Sequence, residues 1–322
     1  MYLETVKFMF AKKNKVIMEN FDVMILGCGS AVPVARHMTT SQLVCIHDKV
    51  FMVDCGEGTQ TQVWKSGIKV TNLDHIFISH AHGDHFFGLV PFVSSLGLML
   101  DRKNPLHLWV PSELKEHLEY DFSNYCYLPF ELIIHPLDTE SRTVLYEDKE
   151  MLVETIPLDH RTPCCGFLFK EKPKAPVLLA DKCKELGVPV TELRNIKAGA
   201  DYVSEDGTVI SNSELTRPSD FRPRSYAYCS DTAYCRAIVP QIAGADLLYH
   251  EATFCDADER SAVATDHSTA RQAAAIAQEA GVGKLAIGHY SIRYREEDQL
   301  LQEAREVFPE TVLSDEMMQF SL

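Results

Sequence analysis

His80-Ala81-His82-Gly83-Asp84-His85 sets three imidazoles and a carboxylate within a single short loop. The apolar run Ile76-Phe77-Ile78 before it reads as a buried strand, and Phe86 to Met99 after it reads as a helix or helical turn. A turn between strand and helix can bring such side chains to one point. The competing reading is a set of unrelated polar loop residues. Histidines at i, i+2 and i+5 with a carboxylate at i+4 rarely fall together after a buried strand, so the stretch predicts a metal site.

Working outward, the chain supplies further strand ends that carry His or Asp. Phe21 to Leu26 is a strand running into Gly27-Cys28-Gly29-Ser30, where a tight turn is the simplest reading of the glycines. Ser41 to Ile46 and Val50 to Val53 follow, the second ending at Asp54. Asp54 is placed either to orient a metal-bound imidazole or to cap the helical segment through Trp64. Ser112 to Tyr120 reads as an amphipathic helix capped by Ser112. Met151 to Ile156 leads to His160, Ser225 to Cys229 to Asp231, Asp246 to Tyr249 to His250-Glu251, and Leu285 to Gly288 to His289. Ser268 and Thr269 cap a helix over Ala270 to Ala280 that ends at Gly281, with His267 just ahead of it, and a last helix spans Glu296 to Phe308. Ligands gathered at one edge of packed sheets make a shared site.

Length and composition set bounds on this reading. A chain of 322 residues can bury a large core without disulfides. The ten cysteines form no CxxC pair, which fits reduced thiols in a cytoplasm. No apolar run is long enough to span a bilayer, and the N-terminus lacks a signal-peptide pattern. Residues 1–20 read as an appendage to a domain over 21–322. The net charge of −15 argues against whole-surface nucleic-acid binding. Residues 170–224 behave differently, as an excursion from the core punctuated by Pro and Gly. Between Lys170 and Lys197 there are seven Lys/Arg against four Asp/Glu, although charge alone describes no more than a solvated arm.

Two metals need six or seven ligands. His80, His82 and His160 serve one, Asp84, His85 and His289 the other, and Asp231 bridges them. Imidazole with carboxylate suits Zn²⁺, with Mn²⁺ or Fe²⁺ as alternatives. Two such ions would clamp the attacking and leaving oxygens of a phosphoryl displacement and activate a water. His267 could protonate the leaving oxygen, with Glu251 setting its tautomer, and Arg293 could hold a phosphate or form a surface ion pair.

The His80–His85 stretch resembles the HxHxDH motif of the metallo-β-lactamase superfamily. Within it the chain resembles the ribonuclease Z family. The supporting segments are Leu26-Gly27-Cys28-Gly29 with Val32-Pro33, Asp54 to Gln60, His250-Glu251-Ala252-Thr253, His267-Ser268-Thr269 and His289 to Tyr294. The resemblance implies an α/β fold, a four-layer αββα sandwich with a protruding arm. It also implies two Zn²⁺ per subunit, a homodimer, and endonucleolytic removal of the 3′ trailer from precursor tRNA. Asp84 would then be both ligand and general base, Glu251 and His267 would assist the leaving oxygen, and Arg293 and His267 would contact phosphate. Residues 170–224 would be the tRNA-gripping arm. Three positions depart from the family: no Gly-Pro follows Gly187-Val188-Pro189, Ser230 stands where glycine is usual, and Cys28 where threonine is typical. A hydrolase of small phosphodiesters, sulfate esters or lactones shares the ligand set but gives no reason for the arm. An RNA-binding subunit with a structural metal is the non-enzymatic rival.

Overall fold

The computed structural model describes residues 21–99 and 102–322. The expected appendage over residues 1–20 lies outside the described residues. Two compact units divide the chain: one holds the segments up to Leu145, Val153–Phe169 and Ser225–Leu322, and the other Tyr146–Leu152 with Lys170–Arg224.

Two seven-stranded sheets build the larger architecture. The first runs in the order Gln319–Ser321, Phe21–Gly27, Ser41–Ile46, Lys49–Cys55, Leu73–Phe77, Leu106–Pro111, Leu132–Leu137. It is antiparallel up to the Ser41–Ile46/Lys49–Cys55 pair and parallel beyond it. The second runs Thr311–Leu313, Leu285–Gly288, Leu247–Glu251, Ser225–Cys229, Cys165–Glu171, Met151–Pro157, Val144–Glu147, its first four strands parallel. Parallel neighbours end on the same side, so the loops after their carboxyl ends collect in one place.

Aromatic side chains fill the space between the sheets. Phe77 is fully buried, 5.3 Å from Phe167 and 6.0 Å from Phe169 between ring centroids, and Phe51 meets Phe169 edge-on at 5.6 Å. Helices cover the outer faces. Thr59–Ser66, Leu89–Met99 and Ser112–Tyr125 pack on the first sheet through Val63, Phe92, Leu96, Leu114, Leu118 and Phe122. Ala270–Ala280 covers the second with small side chains, buried at Ala273, Ala274, Ile276 and Ala277. The expected αββα sandwich therefore forms. Phe77→Ala is expected to remove about 3–5 kcal/mol of stability, read as a lower urea midpoint at unchanged slope.

Three local expectations need correction. The helix expected over Phe86 to Met99 is two, Gly83–Phe86 and Leu89–Met99. Gly88 breaks it because its backbone lies on the Cys55–Gly56 segment, where a Cβ would sit 2.0 Å from the Gly56 carbonyl oxygen. The Ser112 helix runs on to Tyr125, Pro111 rather than Ser112 occupies its cap, and Phe122 extends the Leu114–Leu118 stripe by another turn. The last helix spans Asp298–Arg305 only.

The second unit has a core of its own around Cys183, Ile196, Tyr202 and Leu215. Two short ribbons and the helices Ala180–Glu185, Leu193–Lys197 and Asn212–Leu215 enclose it. Arg224 forks onto the buried Glu171 carboxylate at 2.7 and 2.8 Å, joining the two ends of the Lys170–Arg224 segment. The excursion expected over 170–224 gains Tyr146–Leu152, whose Glu147 pairs with Lys172.

Candidate metal centre and acid–base pair

His80 follows the Leu73–Phe77 strand, and His82 caps the short helix Gly83–Phe86, which carries Asp84 and His85. Ring nitrogens converge there. His82 Nδ1 lies 2.9 Å from His80 Nε2 and 3.4 Å from His160 Nε2. Asp231 Oδ1 lies 3.7 Å from His80 Nε2 and 3.3 Å from His289 Nε2, and its Oδ2 lies 3.1 Å from His85 Nε2. Asp84 Oδ2 is 3.5 Å from His289 Nε2 and 3.7 Å from His85 Nε2. Ligand atoms around a tetrahedral ion with bonds of ~2.0–2.1 Å sit about 3.3 Å apart, so these spacings are those of a coordination shell. Two groups result, His80–His82–His160–Asp231 and Asp84–His85–His289, and the Asp231 carboxylate touches both; a third, Asp231–His267–His289, overlaps them.

The ring nitrogens facing away from the centre are mostly anchored, which fixes each tautomer and leaves a lone pair pointing inward. His85 Nδ1 meets Asp54 at 2.7 Å, His160 Nδ1 the Asp266 carbonyl at 2.9 Å, His289 Nδ1 the Thr253 hydroxyl at 3.0 Å, and His80 Nδ1 the Ser79 hydroxyl at 3.0 Å. The inward Nε2 atoms of His85 and His289 are buried and make no hydrogen bond of normal geometry among the described residues. Buried imidazole nitrogens aimed at carboxylates and otherwise unsatisfied are what a cation would complete. The donor set therefore fits divalent metal.

Asp54 resolves its two readings. Gly58, with φ 90°, caps the helix Thr59–Ser66, so Asp54 is not its cap. Its carboxylate instead accepts from Ser79 N–H at 2.7 Å, the Ser79 hydroxyl at 2.9 Å and the Tyr228 hydroxyl at 2.5 Å, besides meeting His85.

Charge follows the same pattern. Burial, and then neighbouring imidazoles, hold His80 and His82 below the usual imidazole value; burial also lowers His160. Burial would raise the Asp84 and Asp231 carboxyls, but the imidazoles around them outweigh it and hold both below the carboxylate range. Neutral imidazole and ionised carboxylate are the ligating forms. His85 runs the other way without a cation: burial would lower it, but the surrounding Asp231, Asp54 and Asp84 carboxylates outweigh burial and raise it well above the usual imidazole value.

Beside this cluster Glu251 and His267 form a pair. His267 Nδ1 meets Glu251 Oε1 at 2.8 Å, and Glu251 is fully buried. The Glu251 carboxylate is satisfied on every side: Thr232 N–H donates at 2.7 Å, Ser268 N–H at 3.1 Å and the Thr253 hydroxyl at 2.5 Å. Burial opposes charge on His267, yet the Glu251 charge and hydrogen bond override it and raise the imidazole to about 9. The His267 ring stacks on that of His289 at 5.3 Å. Thr269 forms a capping box with Gln272 at the start of Ala270–Ala280, which holds the backbone two residues beyond His267.

Two strand-end residues behave differently. Arg293 donates to Asp258 at 2.9 Å and lies over the Phe254 ring at 4.7 Å, so in this state it is the surface ion pair. His250 is buried in its strand with Nδ1 on the Glu251 carbonyl, outside both groups. Ser79, Tyr228, Thr253 and the Asp266 carbonyl are supports that the residue pattern alone does not point to. Thr253 stands two residues past Glu251 at a strand end, whereas Tyr228 reaches Asp54 from the opposite sheet and leaves no local trace. Asp54, Asp231, Asp266 and His289 all have φ between 53° and 60°, a left-handed backbone that non-glycine residues rarely adopt. Such strain gathers at functional sites, where the surroundings impose it.

Comparison with known proteins bears on the fold and the family. A family profile described as "Anti-Pycsar protein Apyc1" matches residues 21–126. The metallo-beta-lactamase fold protein YhfI from Bacillus subtilis superposes with a TM-score of 0.66 at 18% identity, covering 94% of this chain and 99% of that one, and supports the fold. The short form of human tRNase Z superposes with a TM-score of 0.68 at 25% identity, covering 93% of this chain and 98% of that one. Ribonuclease Z of Bacteroides fragilis is 52% identical over 306 residues, 95% of this chain and 100% of that protein. With that identity over nearly its whole length, and with the His/Asp centre and the Glu251–His267 pair in place, the chain belongs to the ribonuclease Z family.

Proposed function

We propose that the protein is an endoribonuclease that removes the 3′ trailer of precursor tRNA at a centre of two Zn²⁺ ions. His80, His82 and His160 would hold one, Asp84, His85 and His289 the other, with Asp231 between them. The observation that carries this reading is the Glu251–His267 pair set against the His/Asp cluster, because it adds a proton donor to a hydrolytic centre. When bound, the ions supply Lewis acidity at the phosphoryl group and a nucleophile at neutral pH. Asp84, held by the Ala31 N–H at 2.8 Å, orients the attacking water and takes up its proton. The P–O3′ bond breaks, His267 protonates O3′, and the tRNA keeps a 3′-hydroxyl while the trailer leaves with the phosphate. Glu251 holds His267 in orientation and keeps it charged beforehand. Arg293 reaches a substrate phosphate through the guanidinium N–H groups that Asp258 does not occupy.

Purified protein loaded with zinc is expected to shorten a 3′-extended precursor tRNA by a single cut, and chelation is expected to abolish the cut until zinc is restored. Turnover of small phosphodiesters with no cleavage of the precursor would overturn the substrate.

The segment 170–224 is the proposed RNA-gripping arm, and the active form a cytoplasmic homodimer. No helix among the described residues is long and apolar enough to cross a membrane. The arm reading draws on the resemblance and on the basic run from Lys170 to Lys197. Removing Lys172 to Lys197 is expected to raise KM for precursor tRNA at least tenfold while bis(p-nitrophenyl) phosphate turnover stays within twofold. Equal losses on both substrates would sink the arm assignment.

A further inference from the structure

Away from the His/Asp centre, a second group of metal-ligating side chains lies at the base of the first loop. Cys28 Sγ is 3.3 Å from His37 Nδ1, and His37 Nδ1 is 3.0 Å from Glu316 Oε2. Cys28 Sγ and Glu316 Oε1 are 4.0 Å apart. Cys28 and His37 are buried, and the Glu316 side chain is 12% exposed. With bonds of ~2.3 Å to sulfur and ~2.0–2.1 Å to nitrogen or oxygen, a tetrahedral ion sets such atoms about 3.3–3.5 Å apart. The Cys28–His37 distance falls in that range; the two distances to Glu316 lie either side of it and involve different carboxylate oxygens, Oε1 also accepting from Met38 N–H at 2.8 Å.

The surroundings support a cation there. Nε2 of His37 is buried without a hydrogen bond and faces the buried Glu297 carboxylate at 3.5 Å. A small shift would make it the carboxylate–histidine pair that orients a metal-bound imidazole. Glu297, Glu316 and Asp315 place three carboxylates around the group against one cation, Arg36, which pairs with Glu297. Asp315 lies 4.0 Å from His37 Nδ1, within reach of a fourth position. Among the described residues, Cys28 is the one cysteine that joins such a group.

We infer that Cys28, His37 and Glu316 form a separate binding site for Zn²⁺ or a similar thiophilic divalent transition metal. A thiolate in the set selects such ions over Mg²⁺ or Ca²⁺. The site joins two distant parts of the chain, the loop after Phe21–Gly27 and the turn before Gln319–Ser321. That loop continues to Ala31, whose N–H holds Asp84, and Ser30 N–H bonds the Tyr290 carbonyl next to His289. An ion at Cys28 therefore fixes the backbone that supports both. The rival is a metal-free ion pair, with a protonated His37 between Glu316 and Glu297 and the Cys28 thiol on the Ser314 carbonyl.

Cobalt(II) separates the two. The His/Asp groups contain no thiolate, so a thiolate-to-cobalt charge-transfer band in the near ultraviolet belongs to Cys28. The full chain loaded with Co²⁺ is expected to show that band and to hold one equivalent more than the His/Asp centre. Cys28→Ser is expected to abolish the band and lose that equivalent, whereas His82→Ala keeps the band. Glu316→Gln, which preserves shape, weakens cobalt retention at the band and serves if Cys28→Ser fails to fold. A cobalt-saturated wild-type chain without the band, or a Cys28→Ser chain that keeps it, overturns the site in favour of the ion pair.

Discussion

Asp231→Ala is expected to lower kcat/KM for precursor tRNA by about four orders of magnitude, ~5.5 kcal/mol of transition-state stabilisation. The Asp231 carboxylate approaches His80 of one group and His85 and His289 of the other, at 3.7, 3.1 and 3.3 Å. Its loss opens both groups at once. It also leaves His85 and His289 facing a void, and breaking such a buried charge pair costs ~3–5 kcal/mol. Metal analysis should accordingly find fewer than two ions per chain at the His/Asp centre. Adding zinc should raise the Tm of the wild type but not of the variant. Asp231→Asn, neutral and of the same shape, is expected to resemble the alanine variant in activity because charge, not volume, is what the bridge supplies. An Asp231→Ala protein within tenfold of wild-type activity would remove the shared-ligand assignment.

His267→Ala is expected to lower kcat for precursor tRNA by roughly 10²–10⁴-fold, the usual worth of a positioned proton donor. The loss should depend on the leaving group. Bis(p-nitrophenyl) phosphate releases a phenolate that needs no proton, so its turnover should fall far less. A uniform loss on both substrates would assign His267 to phosphate binding instead. The pH dependence has a definite sign. Glu251 raises the folded His267 to about 9, above the ordinary imidazole. The stabilisation from this pair is therefore complete below ~6.5, the unfolded value, and is lost as pH rises through about 9. The proton donor disappears over the same alkaline range. In Glu251→Gln the alkaline limb of kcat should move towards lower pH, and the metal-free variant should lose the wild type's extra stability below that limb. Cations at the neighbouring centre displace both limbs downward together, so the difference between the two proteins is the diagnostic quantity.

Much of the centre was legible because its candidate ligands sit at strand ends, where a buried apolar run followed by His or Asp is visible in one dimension. His80, His160, Asp231 and His289 all follow that rule, and the structure brings them together. His250 obeys the same rule and fails, because its strand extends through Glu251 and turns the imidazole into the sheet. The sequence pattern cannot tell whether a strand stops one residue before a histidine or one after it. Asp54 could be read two ways for a similar reason. Its partner Tyr228 belongs to the other sheet, and a contact between sheets has no local signature. The left-handed backbone at Asp54, Asp231 and His289 was also hidden, since Asp tolerates that conformation without requiring it. Helix ends went wrong where packing decided them, as at Gly88.

The Tyr228–Asp54 bond crosses from one sheet to the other, and so does the set of candidate ligands. His80, His82, Asp84 and His85 come from loops of the first sheet, and His160, Asp231 and His289 from loops of the second. Neither sheet alone presents all seven candidate ligands, so a half-assembled chain would hold a divalent cation little better than loose histidines do. Cation affinity then becomes a property of the assembled state alone. A ligand that recognises only the native form stabilises it by about 2.7 kcal/mol at a hundredfold excess over its Kd. If the centre takes up the divalent cation its donor set fits, the free level of that cation enters the folding equilibrium, and a chain whose sheets have mispacked would not retain it.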